Sequence, residues 1–269
     1  MDHYCLENSI KCDGYSGCHV EIFENCIIKS SSDSQYNSRL LAQSLKQSSH
    51  KSKYLLSPKI LGNYYVDDIL RVKMEYINGV NFARLFEITD IYELDDIFKL
   101  FIDYIVDNLN KSTMVNVTDD IISKIDSVKR NVPDNVKDVV PYVSEEIIIP
   151  VGVCHGDLTL SNTLYNSNGI YVFDFLDCFV ESPIQDIVKL RQDTFHYWSL
   201  KRCDGFDISK IKIILSHFDE VMVNTFGKYG WFNFYELFQK LNLCRVLQYA
   251  KSPKDIMFLI EEIKKVENG

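Results

Sequence analysis

The sequence predicts an α+β chain in two lobes, a small N-terminal antiparallel β-sheet with one helix followed by a larger, mainly helical C-terminal part. Three observations lead there. Short apolar and β-branched runs broken by turn residues fill the chain up to about residue 77. From Val80 onward apolar residues recur at three-and-four spacing over long stretches, the mark of amphipathic helices. Between two blocks of such helices lies a turn-rich segment from Val153 to Asp186, in which acids and asparagines stand among apolar runs. At 269 residues the chain exceeds a typical domain yet fits one bilobal unit. The division expected is 1–77 and 78–269.

In chain order, Ser9 to Lys11 and Cys18 to Phe23 read as strands around Gly14-Tyr15-Ser16-Gly17. A glycine-bearing hairpin here can lay backbone N–H groups, those of Ser16 and Gly17 among them, over nucleotide phosphates. Cys26 to Lys29 is a third strand. A polar linker leads into a helix from about Tyr36 to Ser48, with Leu40, Leu41 and Leu45 on one side. After Ser57-Pro58, Ile60 to Val66 and Ile69 to Tyr76 form a strand pair turning at Asp67-Asp68. Tyr92 to Leu109 is a long amphipathic helix and Asp119 to Val128 a second. Pro133 and Pro141 bracket a less regular stretch, and Ile147 to Val153 is an apolar run in which Pro150 prevents a helix. Helices are then expected over Ile184 to Tyr197, with Pro183 at the first position, and over Ile208 to Phe226, Phe234 to Tyr249 and Lys254 to Val266.

The chemistry is concentrated in the central segment. His155, Gly156, Asp157 and Asn162 form H-G-D-x-x-x-x-N, and Phe173-Asp174-Phe175-Leu176-Asp177 follows. Phosphoryl transfer needs one carboxylate to accept the proton of an attacking hydroxyl. It also needs an amide oxygen and a second carboxylate to hold Mg2+ on a nucleotide's phosphates. Asp157, Asn162 and Asp174 have those types in that order. Asn166 to Gly169 is a turn signal between two apolar runs, so a hairpin is expected to carry the chain away and deliver Asp174 back beside Asn162.

These residues resemble the catalytic and metal-binding loops of the aminoglycoside phosphotransferase and choline kinase group, the small-molecule branch of the protein-kinase-like fold. The resemblance implies the bilobal protein-kinase-like fold, ATP as donor and Mg2+ as the metal. It implies that Lys29, at the end of the third strand, pairs with the α- and β-phosphates. Lys73 to Gly79 then resembles the segment joining the kinase lobes, with Met74 behind the adenine pocket and the Glu75 carbonyl and Ile77 amide reading the adenine edge. Asp186 matches an acid that braces the catalytic loop through backbone N–H groups, and His155 a packed histidine that holds the same loop. Two departures stand out: Gly156 replaces the kinase arginine and Leu176 the glycine of D-F-G. The helix expected to supply a glutamate to Lys29 has none, and Gln43 is the nearest match. Asp174 to Pro183 is too short to present a peptide, so a small hydroxyl-bearing acceptor is implied.

Composition bounds the partners. A net charge of -9 argues against nucleic acid. The eight cysteines lack any C-x-x-C pair and read as reduced thiols of a cytoplasmic protein. The N-terminus has no basic start and apolar run of a signal peptide, and no stretch approaches a membrane span. Lys189, Arg191, Asp193, Lys201 and Arg202, with Phe195, Tyr197 and Trp198, are where the acceptor would be distinguished. A silent nucleotide-binding module and a protein-directed kinase remain alternatives to the small-molecule phosphotransferase, and the oligomeric state is open.

Overall fold

A computed structural model describes residues 10–13, 18–203, 205–247, 250 and 252–266. They fall into two compact units that are not contiguous in sequence. The first comprises the described residues up to Ile88 together with Ser161–Asp177, and the second Thr89–Leu160 with the described residues from Cys178 onward.

The first unit is built on a five-stranded antiparallel sheet in the order β1-β2-β3-β5-β4. Its strands are β1 (Ile10–Asp13), β2 (Cys18–Ile22), β3 (Cys26–Ser31), β4 (Ile60–Val66) and β5 (Ile69–Glu75). Val66 pairs with Ile69 across a two-residue turn in which Asp67 and Asp68 both have positive φ, 49° and 61°. That is the backbone a tight hairpin requires, and aspartate tolerates it. Helix α1 (Asn37–Ser49) is fixed to this turn by one side chain: Asn37 donates to the Asp68 carbonyl and accepts from the Leu70 amide. Cys18, Leu40, Leu70, Val72 and Met74 form the core between helix and sheet. Each fully buried Leu or Met there contributes roughly 1.5–3 kcal/mol.

The buried stripe of α1 differs from expectation. It is Leu40, Gln43, Ser44 and Gln47, while Leu45 is more than half exposed. The stripe still has the helical period, but polar residues occupy most of it. Gln47 is satisfied by the Pro58 carbonyl and Ser44 by that of Leu41. Helix α2 (Phe82–Ile88), which the sequence did not single out, completes this unit with strands β8 (Thr163–Asn166) and β9 (Gly169–Val172), β6 and β7 lying in the other unit.

The second unit is helical. Helix α3 (Ile91–Asn110) is capped by Asp90, whose carboxylate accepts the Tyr92 and Glu93 amides. Its apolar stripe packs on α6 (Ile208–Phe226), where Phe98 and Phe218 stack with centroids 4.1 Å apart. Helices α4 (Thr118–Asn131) and α8 (Pro253–Val266) pack on α7 (Tyr235–Leu247). The expected extension of α7 to Tyr249 lies outside the described residues. The apolar run before the central segment is strand β7 (Ile148–Val151), paired with β6 (Thr113–Asn116). Helix α5 (Pro183–Thr194) is at the centre, every one of its 12 residues buried. Ser182 caps it and bonds the Pro150 carbonyl.

Candidate active site

A buried helix rich in charge needs a partner for each charged group. In α5 those partners form a loop. Asp186, Lys189 and Asp193 stand at i, i+3 and i+7, one face of the helix, and all three reach residues 155–160. The Asp186 carboxylate accepts the His155 and Gly156 amides, both at 2.8 Å. Asp193 accepts the Leu160 amide at 2.7 Å. Between them the Lys189 ammonium pairs with Asp157 at 2.9 Å. The loop is also braced internally, since the Asp157 amide donates to His155 Nδ1 at 3.2 Å and the Thr159 amide to the Asp157 carbonyl. Gly156, with φ of 87°, makes the bend that a side chain would oppose. The bracing roles expected of Asp186 and His155 are what the structure shows.

The electrostatics follow. Burial opposes ionisation of Asp157, but attraction to Lys189 and its hydrogen bond, with help from His155 and Arg245, outweighs this and holds the carboxyl below the usual carboxylate range. Asp193 goes the other way. Burial raises it to about 6, against the hydrogen bonds of Ser199 and Leu160, with the Asp157 charge adding to the rise.

The first unit holds the other predicted residues. Strands β8 and β9 pair from Thr163 with Val172 to Asn166 with Gly169, and the Phe173 amide donates to the Asn162 carbonyl. Asn162 and Asp174 therefore sit at the open end of the expected hairpin. Asp174 has φ of 62°, a backbone conformation that non-glycine residues seldom adopt outside turns and functional sites. Its carboxylate meets the Lys29 ammonium at 2.8 Å, across 145 positions of sequence. Burial alone would lower the lysine, but Asp174 outweighs it and keeps Lys29 above the ordinary lysine range. The next residues are tied to α1, where Lys46 donates to the Leu176 carbonyl at 2.6 Å and the His50 ring lies 5.0 Å from that of Phe175. Gln43 is buried, and neither atom of its amide has a hydrogen-bond partner among the described residues, so Lys29 takes Asp174 and not Gln43.

Glu75 ends β5, its amide donating to the Lys59 carbonyl and its carboxylate accepting the Lys59 amide. Ile77 follows, buried. Ser16 and Gly17 lie outside the described residues. Asn162 and Asp174, at one hairpin end, carry hard oxygen donors of the kind Mg2+ takes.

Sequence reasoning missed Lys189 and Asp193 as loop-holding groups and read them with the acceptor region. Their signal was the helical spacing from Asp186. Arg191 is likewise committed, to Asp219 through two hydrogen bonds of 2.8 and 2.9 Å.

Residues 126–208 match the model of the phosphotransferase enzyme family. No curated protein sequence matches the chain. Among solved structures, aminoglycoside phosphotransferase APH(4)-Ia is similar over 97% of this chain and 93% of its own, at 11% identity and a TM-score of 0.62. A thermostable mutant of it, in ternary complex with AMP-PNP and hygromycin B, gives 0.63 at 11% identity over 97% of this chain and 94% of that one. APH(3'')-Id from Streptomyces rimosus, in complex with ADP and streptomycin, gives 0.53 at 13% identity over 86% and 94%. The fold is thus that of the aminoglycoside phosphotransferases, as the resemblance implied, and residues 126–208 are similar to the phosphotransferase enzyme family. Among the described residues no helix is long and apolar enough to cross a membrane.

Proposed function

We propose that this chain is an ATP-dependent, Mg2+-requiring phosphotransferase that transfers the γ-phosphoryl group to a hydroxyl of a small metabolite. The observation that carries it is the ion pair between Lys29 and Asp174. Two weak signals far apart in sequence converge there, a buried lysine on β3 and a carboxylate on a strained backbone after the hairpin.

The roles follow from the residue chemistry. The P–O bond to the β-phosphate oxygen breaks as the acceptor oxygen bonds to phosphorus, and the acceptor's proton passes to the Asp157 carboxylate. Lys189 keeps that carboxylate ionised and oriented. Lys29 binds the α- and β-phosphates, which requires it to leave Asp174. Asn162 and Asp174 would hold Mg2+, which when bound neutralises phosphate charge. The Glu75 carbonyl and the Ile77 amide read the adenine edge, and the backbone at Ser16 and Gly17 covers the phosphates. In this reading residues 1–77 bind the nucleotide, and 78–269 carry the catalytic loop and the acceptor site. A cytoplasmic protein acting on a sugar, amino alcohol or aminoglycoside-like compound is the setting we assign, with neither nucleic acid nor membrane as partner.

The test is ADP release from Mg-ATP over a panel of sugars, amino alcohols and aminoglycosides, with Asp157→Asn beside wild type. General-base catalysis contributes about 10²- to 10⁴-fold, so the variant is expected to lose that much or more in kcat with little change in nucleotide affinity. Wild type that binds Mg-ATP without turnover on any acceptor would indicate a silent module. Labelled phosphate on protein would indicate a protein kinase.

A further inference from the structure

Outside the groups described above, three ligand-bearing side chains converge in the second unit. The thiol sulfurs of Cys154 and Cys178 and a carboxylate oxygen of Glu181 all lie within 4.8 Å of one another. Cys154 is fully buried, whereas Cys178 and Glu181 are half-buried, so the cluster has a closed floor and an open side. We propose that Cys154, Cys178 and Glu181 form a binding site for a thiophilic divalent cation of the Zn2+ type.

The chemistry selects the ion. Two thiolates with one carboxylate are a borderline-soft set, matched to zinc and poorly matched to Mg2+ or Ca2+, which take hard oxygen ligands. The geometry is compatible. With Zn–S of about 2.3 Å and Zn–O of about 2.0–2.2 Å in a tetrahedron, the ligand atoms stand roughly 3.5–3.8 Å apart. A shift of about an ångström brings the three atoms there, and the open side leaves the fourth position to water.

The surrounding bonds orient the ligands. The Cys154 thiol donates to Glu181 Oε2 at 3.2 Å, and the Cys178 amide donates to Oε1 at 2.8 Å. The Glu181 carbonyl accepts the Gly152 amide at 2.9 Å, which fixes the backbone of the carboxylate to that of the strand leading into the loop. The Cys178 sulfur is 3.8 Å from the Gly156 carbonyl. A cation bound here would join Cys154, the residue before His155-Gly156-Asp157, to the segment that enters α5. It would add a second tie to a loop already held by the Asp186 and Asp193 carboxylates.

The inference does not depend on the phosphotransferase reading, and its test reads metal binding rather than turnover. The reduced full-length chain, stripped with a chelator, is titrated with Co2+ followed by Zn2+ in competition, in excess Mg2+. One Co2+ per chain is expected, with a thiolate-to-cobalt charge-transfer band that Zn2+ abolishes, Mg2+ does not, and a rise in Tm. The band should be lost in Cys178→Ser, whose side chain is half-exposed and replaceable without a core cavity, and in Cys154→Ala. It should weaken in Glu181→Gln and persist in Asp174→Asn. No band in wild type, or an undiminished band in Cys178→Ser, would overturn the site. So would an intact mass showing both thiols lost to a disulfide in reducing buffer.

Discussion

At the scale of single residues, the most informative is Lys189. Helix charges ordinarily point into solvent, and nothing in a lysine on its own distinguishes one that pairs with the carboxylate proposed as general base. Its partner Asp157 was legible because a loop motif surrounds it. Lys189→Met should lower kcat while leaving nucleotide affinity nearly unchanged. Without the ammonium the Asp157 pKa rises, so the acid limb of the kcat profile should move to higher pH, and an unmoved limb would show that Lys189 does not act on this carboxylate. Asp193 makes the second test. Its folded pKa of about 6 exceeds the ordinary carboxylate value, so the folded chain holds this proton more tightly than the unfolded one. Its contribution to stability is complete below about pH 4 and is lost as pH rises through 6. Denaturation midpoints of wild type relative to Asp193→Ala should fall between pH 4 and 6.5, a trend opposite to that of Asp157. A gap that stays constant over this window would mean that Asp193 ionises normally.

At the scale of elements, the sequence was most readable where periodicity and turn chemistry agreed. Helix α6 has the predicted bounds, Ile208 to Phe226, and the β4 to β5 turn falls at Asp67-Asp68. Strand β6 was not readable, because Thr113, Met114, Val115 and Asn116 are all exposed and show no alternation to detect. Polar burial hid the face of α1 in the same way, since Gln43, Ser44 and Gln47 carry no apolar signal. The hairpin β8 to β9 was read correctly, and with it the approach of Asp174 to Asn162. Its attachment was not. Val80 and Tyr165 exchange backbone hydrogen bonds of 2.9 Å in each direction, and a Cβ on Gly79 would lie 2.8 Å from the Tyr165 carbonyl oxygen. Gly79→Ala must therefore displace a backbone bridge. A loss of about 1–3 kcal/mol is expected in chemical denaturation, typical of overpacking, and an unchanged midpoint would show that this bridge is slack.

At the scale of the whole molecule, the first unit borrows Ser161–Asp177 from the far side of a helical stretch. Leu56 bridges Tyr171 and Val80 bridges Tyr165, so this segment supplies bridge partners as well as Asn162 and Asp174. A fragment ending at Ile88 should then fail to fold cooperatively, and adding the hairpin as a linked segment should restore a sharp thermal transition. A fragment that melts sharply without it would remove the structural weight given to these bridges. The same discontinuity bears on synthesis. Translation proceeds at about 5–20 residues per second, so the nascent N-terminal sheet waits on the order of ten seconds after Ile88 is made before its last partners emerge. During that interval Leu56 and Val80 lack their bridge partners, Tyr171 and Tyr165. Slow codons between positions 89 and 160 would lengthen the time these partners are missing, so the yield of folded protein should depend on the rate at which that interval is translated.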